Sequence, residues 1–197
     1  MKNTVIVTCV LAGAASLAAA DSVNIVHNGH SGNLGQNVQI QLTGGLFFQD
    51  GGSNHNVWAG QISNTIDGVD AKTYCTELTQ WAGSGVFDIV SVDNAPVPGN
   101  GMGQTKADAI YRLFNATNRG ADIVDSSQAA AFQAVIWEIV YEFDGNESSV
   151  NIAAGKVRFT SGVNQGHFNT YSTFALDPQG DTTPTVVAAV NNDRQDQ

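Results

Sequence analysis

The chain has 197 residues, with 18 Asp and Glu side chains against 8 Lys and Arg and a formal net charge of −10. A surface this acidic repels phosphate backbones and anionic lipids, which argues against nucleic-acid binding. The length suits one domain with a sizeable core, and no stretch after the first twenty residues is long and apolar enough to span a membrane.

The first twenty residues predict export. Lys2 gives a positive start, residues 5–15 are an apolar run too short for a bilayer, and the alanines at 18–20 offer a small-residue cleavage site. Cleavage there starts the mature chain near Asp21 and removes Cys9 with the signal. We therefore expect a secreted or cell-surface protein.

After cleavage, Cys75 is the only cysteine of the mature chain. A lone cysteine in an oxidising compartment cannot form an intramolecular disulfide. Three interpretations stay open at this point: a buried inert thiol, an intermolecular disulfide, or a sulfur committed to covalent chemistry.

Short strands separated by turns are predicted for residues 22–62. The apolar residues Val38, Ile40 and Leu42 alternate with glutamines, and Gly-rich turns follow them. Further strands are predicted at residues 72–79, which carry Cys75, and at 86–92, 150–160, 170–176 and 184–190. Prolines and glycines predict a loop over 93–103, and the polar residues 191–197 predict a frayed tail.

Two helices are predicted between these strands. Ala107, Ile110 and Phe114 share one face of a helix over about 105–116. A second helix is predicted over about 127–143, capped by Asp125 or Ser126. The fold expected is α+β, an antiparallel sheet or barrel-like core over 21–190 with a two-helix insert.

The second helix is predicted to bury one broad face. Phe132, Ile136, Ile139, Val140 and Phe143 make up this face. The residues expected to lie away from it are Ala131, Ala134, Glu138 and Glu142. Gln133 and Trp137 fall at the rim of the apolar face, and an amide there is ordinarily satisfied by a backbone hydrogen bond.

The residues around Cys75 and Gln133 form two short motifs. Tyr74 directly precedes Cys75, and Phe132-Gln133-Ala134-Val135-Ile136-Trp137 reads as apolar, Gln, two residues, apolar, Trp. Together, in this order, they resemble the motifs of bacterial surface thioester domains. The resemblance covers roughly residues 74–141. It implies that Cys75 and Gln133 condense to an internal thioester with loss of ammonia, with Tyr74, Phe132 and Trp137 as the supporting aromatic surround.

The resemblance implies covalent capture of a lysine amine on a surface target, for adhesion. One capture per molecule is all that this chemistry allows, so we expect binding rather than catalytic turnover, by a monomer without a cofactor or metal. The sequence shows no sorting motif or stalk repeat, so how the chain is held at the surface is left open.

Two other classes of function remain as alternatives. The first is a non-reactive structural or carbohydrate-binding extracellular β domain in which Cys75 is only packed. The second is a cysteine hydrolase or transferase in which His167 serves as the base for Cys75.

Overall fold

The structure, a computed structural model, describes residues 22–96 and 100–197. The predicted signal segment lies outside the described residues, as do residues 97–99 of the predicted loop. The strands are β1 (Ser22–Leu42), β2 (Asn54–Ile66), β3 (Val69–Thr73), β4 (Gly85–Val90), β5 (Val157–Ser161) and β6 (Ala188–Val190). The helices are α1 (Gln104–Ala116), α2 (Ser126–Tyr141) and α3 (Gln165–Leu176).

The six strands form one sheet in the order β3-β2-β1-β4-β6, with β5 also paired to β1. All strand pairs are antiparallel, so the predicted α+β fold with an antiparallel sheet is confirmed. The short strands expected over 22–62 are wrong in part, because β1 continues for 21 residues through its glycines. Irregular register between His27 and Gly35 accommodates those glycines without ending the strand.

Helix α2 crosses the sheet at the centre of the molecule. It contacts β1 and β2 on one side and packs against α1 and α3 on the other. Every residue from Ala129 to Val140 is consequently buried. The prediction that Ala131, Ala134 and Glu138 lie away from the core is therefore wrong, because the helix is packed against both the sheet and the other helices. The Glu138 carboxylate accepts a hydrogen bond of 3.0 Å from the Asn151 N–H in the loop after α2.

Both predicted helices form within two residues of their expected ends. The side chain of Asp125 caps α2 by accepting a hydrogen bond of 2.8 Å from the Gln128 N–H. Residues 170–176 belong to helix α3 instead of the predicted strand, and Asn164 caps this helix through the His167 N–H. Within the described residues, no helix is both long and apolar enough to cross a bilayer.

The last residues of the chain fold back on β6. The segment pairs with the strand through two hydrogen bonds of 3.0 Å between Ala189 and Gln197. Gln195, Asp196 and Gln197 are buried, so the prediction of a frayed tail is wrong. We call residues 188–197 the terminal hairpin. The side chains of Gln195 and Gln197 are buried because they find partners inside the molecule, which composition alone does not reveal.

Candidate functional site

Cys75 follows the end of β3, the edge strand of the sheet. It is a free cysteine with 3 % of its surface exposed. Because β3 ends at Thr73, the peptide groups of Cys75 have no place in the strand ladder and need other partners if they are to stay buried. Three glutamine side chains, one from α2 and two from the terminal hairpin, meet this residue.

Gln133 pairs with the backbone of Cys75. The Cys75 N–H donates to Gln133 Oε1 at 3.0 Å, and Gln133 Nε2 donates to the Cys75 carbonyl oxygen at 2.7 Å. The fully buried amide thus replaces a neighbouring strand for this one residue. The structure brings Cys75 and Gln133 together, and the contact joins the amide to the main chain of Cys75.

The sulfur of Cys75 faces the terminal hairpin. Its thiol donates to Gln195 Oε1 at 2.9 Å, and Gln197 Nε2 donates to the sulfur at 3.8 Å. Gln195 Nε2 donates in turn to the carbonyl oxygen of Glu77. Both ends of the Gln195 amide are therefore held, one at the sulfur and one at the backbone two residues beyond Cys75.

The hairpin is anchored beside Cys75 by its backbone. The Thr76 N–H donates to the Asp196 carbonyl oxygen at 3.1 Å, and the Gln195 N–H donates to the Trp81 carbonyl oxygen at 3.2 Å. At the turn, Asn191 accepts from the Asp193 N–H at 2.7 Å, a contact typical of a side chain that stabilises a turn. These bonds fix the direction in which Gln195 points.

Sequence reasoning missed Gln195 and Gln197. Their i, i+2 spacing is a signal that could have found them, because alternate residues of an extended segment project to the same side. The Asn- and Asp-rich turn before them hides this signal, since such a composition is more typical of an exposed end.

The thiol lies in a desolvated environment. Burial raises the pKa of Cys75 to about 12, the Gln197 N–H opposes this shift, and the negative charge of Glu77 adds to it. The sulfur is therefore protonated at neutral pH. A proton must leave it during any attack on a carbonyl carbon, since the thiolate is the nucleophile.

Glu77 is the ionisable group next to this site. Burial raises its pKa to about 7, the hydrogen bond from Thr79 opposes the shift, and the charge of Asp196 adds to it. Its Oε1 accepts from the Thr79 hydroxyl, and its Oε2 has no hydrogen-bond partner within the described residues.

Two of the three predicted aromatic neighbours pack together behind Cys75. The rings of Tyr74 and Phe132 lie 4.7 Å apart, and Phe114 and Tyr171 extend the cluster. Trp137 is also buried, and its ring stacks on Phe159 with centroids 6.3 Å apart. The aromatic residues exclude water from the side of Cys75 that faces the core.

A cavity of about 290 Å³ reaches Cys75 and Gln195 from the other side. The histidines that line it are His27 and His30. His167 lies on α3 outside this lining, so the cavity gives no support to the predicted pairing of His167 with Cys75.

A buried thiol in contact with a carboxamide can exchange the amide nitrogen for sulfur, giving a thioester and ammonia.

No group of three or more His, Cys, Asp or Glu side chains within residues 22–96 and 100–197 is arranged to hold a metal ion. Comparisons of the chain with models of known protein families, with curated proteins and with solved structures found no match.

Proposed function

We propose that this chain is an exported surface domain that forms an internal thioester at Cys75 and uses it to capture a target amine covalently. The observation that carries the proposal is the 2.9 Å contact between the Cys75 sulfur and the Gln195 amide oxygen in a water-poor pocket. The motifs around Cys75 and Gln133 and the lone mature cysteine support it from the sequence.

Three glutamines contact Cys75, and the geometry favours Gln195 as the acyl partner. Its carbonyl oxygen touches the sulfur, so the carbonyl carbon, one bond of about 1.23 Å further on, lies within about 4.1 Å of it. Reacting atoms in an attack geometry lie about 3–3.5 Å apart. The amide must turn so that the face of its carbonyl carbon meets the sulfur, which breaks its hydrogen bonds to the thiol and to the Glu77 carbonyl oxygen.

Gln133 serves this chemistry by holding Cys75 in place. Both polar atoms of its amide are engaged with the backbone of Cys75, which fixes the residue that carries the sulfur. The sequence-based pairing of Cys75 with Gln133 is kept as the rival assignment, in which these hydrogen bonds break before the bond forms.

Formation of the thioester replaces the amide nitrogen of the glutamine by the Cys75 sulfur. The Cys75 sulfur attacks the carboxamide carbon, the C–N bond breaks, and the amide nitrogen leaves as ammonia with the thiol proton. Holding both groups on anchored elements supplies the effective concentration that makes attack on an unreactive amide feasible.

In the capture step the sulfur is the leaving group and a nitrogen is the nucleophile. A neutral amine attacks the thioester carbon, the C–S bond breaks, and the Cys75 thiolate leaves and takes the amine proton. The raised pKa of Cys75 makes its sulfur a reluctant leaving group, which, together with the exclusion of water, protects the stored thioester from hydrolysis.

The assignment of the acyl partner is tested by treating the mature protein with methylamine and mapping the product by peptide mass spectrometry. The panel consists of wild type, Gln195→Ala, Gln133→Ala and, as a matched control, Gln165→Ala on the exposed start of α3. We expect N-methylation of Gln195 in wild type and in the control, and none in Gln195→Ala.

Gln133→Ala separates the two assignments further. It leaves a buried N–H and a buried C=O of Cys75 without the partners they have here, and each costs about 1–3 kcal/mol of folding stability. The folded fraction is still expected to methylate Gln195. A methyl group on Gln133 of the wild type, with Gln195→Ala fully reactive, would assign the thioester to Gln133 instead.

A further inference from the structure

The cavity beside Cys75 is walled by aromatic rings. Trp58 and Trp81 line it together with Phe48 and His30, and Cys75 and Gln195 form its inner end. A volume of about 290 Å³ lies at the lower end of the range of small-molecule sites, about 300–1,000 Å³. A reactant of small-molecule size that enters this cavity therefore lies among these rings and next to Cys75 and Gln195.

The rings are held in fixed positions. The Trp58 indole lies over Gly35, where a Cβ atom would come within 2.7 Å of the ring. His30 stacks on Trp58 with centroids 3.9 Å apart, and Phe48 stacks on Trp81 with centroids 5.7 Å apart. Two stacked aromatic pairs thus line a single cavity.

The aromatic faces are what would attract a cation in this cavity. No Lys, Arg, Asp or Glu is among the described residues that line it, and the net charge of the whole chain is −10. Partial burial and the neighbouring His27 lower the pKa of His30, so this ring carries no charge that would repel a cation at neutral pH. Aromatic faces attract ammonium groups within about 6 Å of the ring centre.

The geometry points to this cavity as the docking site for the lysine side chain that the thioester captures. The ammonium group binds against the aromatic rings and gives its proton to water at the exposed edge of the cavity beside Trp81. The neutral amine then reaches Cys75, with the apolar stem of the lysine between the rings, and attacks the thioester carbon as described above. The inference rests on the proposed function and adds to it the group that the site selects.

The test compares two amines on the full mature chain. Methylamine reports whether a thioester is present, and Nα-acetyl-lysine methylamide carries the complete lysine side chain. Trp81 is the residue to change because its side chain is 41 % exposed and lies in the wall. Phe47, an aromatic residue with 55 % exposure outside the lining, is the matched control.

In Trp81→Ala, we expect the rate of lysine capture to fall about three- to tenfold, the size of one lost cation–π contact, with methylamine changing by less than about twofold. Trp81→Phe keeps an aromatic face and should retain most of the lysine rate. Phe47→Ala should behave as wild type with both amines.

Two different results would overturn the inference. If wild type forms no methylamine adduct, the proposed function fails and the docking role fails with it. If wild type reacts normally with methylamine but Trp81→Ala slows both amines equally, or slows neither, the thioester stands and the cavity does not select lysine.

Discussion

At the scale of single residues, the three glutamines around Cys75 have different roles. Gln133 satisfies the backbone of Cys75, Gln195 meets its sulfur, and Gln197 donates to the sulfur from further away. A carboxamide can bind either a peptide group or a sulfur atom because it carries a donor and an acceptor a short distance apart. The residue type therefore identifies the candidates, and only the direction of each amide separates a positioning role from a reacting one.

Glu138 is the buried acid of the central helix and gives a prediction at this scale. Burial raises its pKa to about 9, the Asn151 N–H opposes the shift, and the charge of Glu142 adds to it. In the unfolded chain the group ionises near its ordinary pKa of 4.5. Between these values the folded state holds one proton more, so stability falls as the pH rises from about 4.5 to about 9.

We therefore expect Glu138→Gln to be more stable than wild type at pH 8, by up to about 5 kcal/mol, and nearly equal to it at pH 4.5. Glutamine keeps an oxygen that can accept from the Asn151 N–H and has no charge to lose. Urea unfolding at both pH values measures the difference. If Glu138→Gln differed from wild type by the same unfolding free energy at both pH values, the pKa assigned to Glu138 would be contradicted.

At the scale of elements, helices α1 and α2 could be predicted because apolar spacing and the Asp125 cap act locally. Helix α3 could not be predicted in the same way, because residues 170–176 combine threonine and aromatic side chains that favour strands. The residue that indicates a helix is its cap, Asn164, which lies outside this segment. The terminal hairpin was missed for a related reason. Its buried glutamines depend on partners about 120 residues away, which no local pattern contains.

The pairing of β1 with β2 gives a prediction for an element. Gly60 faces Gly35 across the two strands, and a Cβ atom on Gly60 would come within 2.4 Å of the Gly35 Cα and the Leu34 carbonyl oxygen. Gly60→Ala must therefore push the strands apart. We expect a loss of about 2–4 kcal/mol in unfolding free energy, measured by urea denaturation.

Gly68→Ala is the matched control. Gly68 lies in the two-residue turn between β2 and β3 with φ of +84°, and a Cβ atom there would meet nothing within 4 Å. Only backbone strain remains, about 1–2 kcal/mol. If Gly60→Ala cost no more than Gly68→Ala, the close approach of the two strands would be wrong.

At the scale of the molecule, the site exists because three distant parts of the chain converge. The end of β3 brings the cysteine, the central helix brings the amide that holds it, and the terminal hairpin brings the amide that meets the sulfur. The sequence indicated the first two parts through short motifs. For the third part it offered only the i, i+2 spacing of Gln195 and Gln197. It gave no signal for the aromatic cavity, which depends on how residues of β1 and β2 and the hairpin pack.

The central claim is that Cys75 is joined to a glutamine in the folded protein. Accurate intact mass of the freshly purified mature chain, kept at neutral pH without amines, tests it most directly. The account predicts a mass lower than the sequence value by one ammonia, with Cys75→Ala at its full sequence mass. A wild-type chain at its full sequence mass, with a thiol that labels once the protein is denatured, would contradict the account.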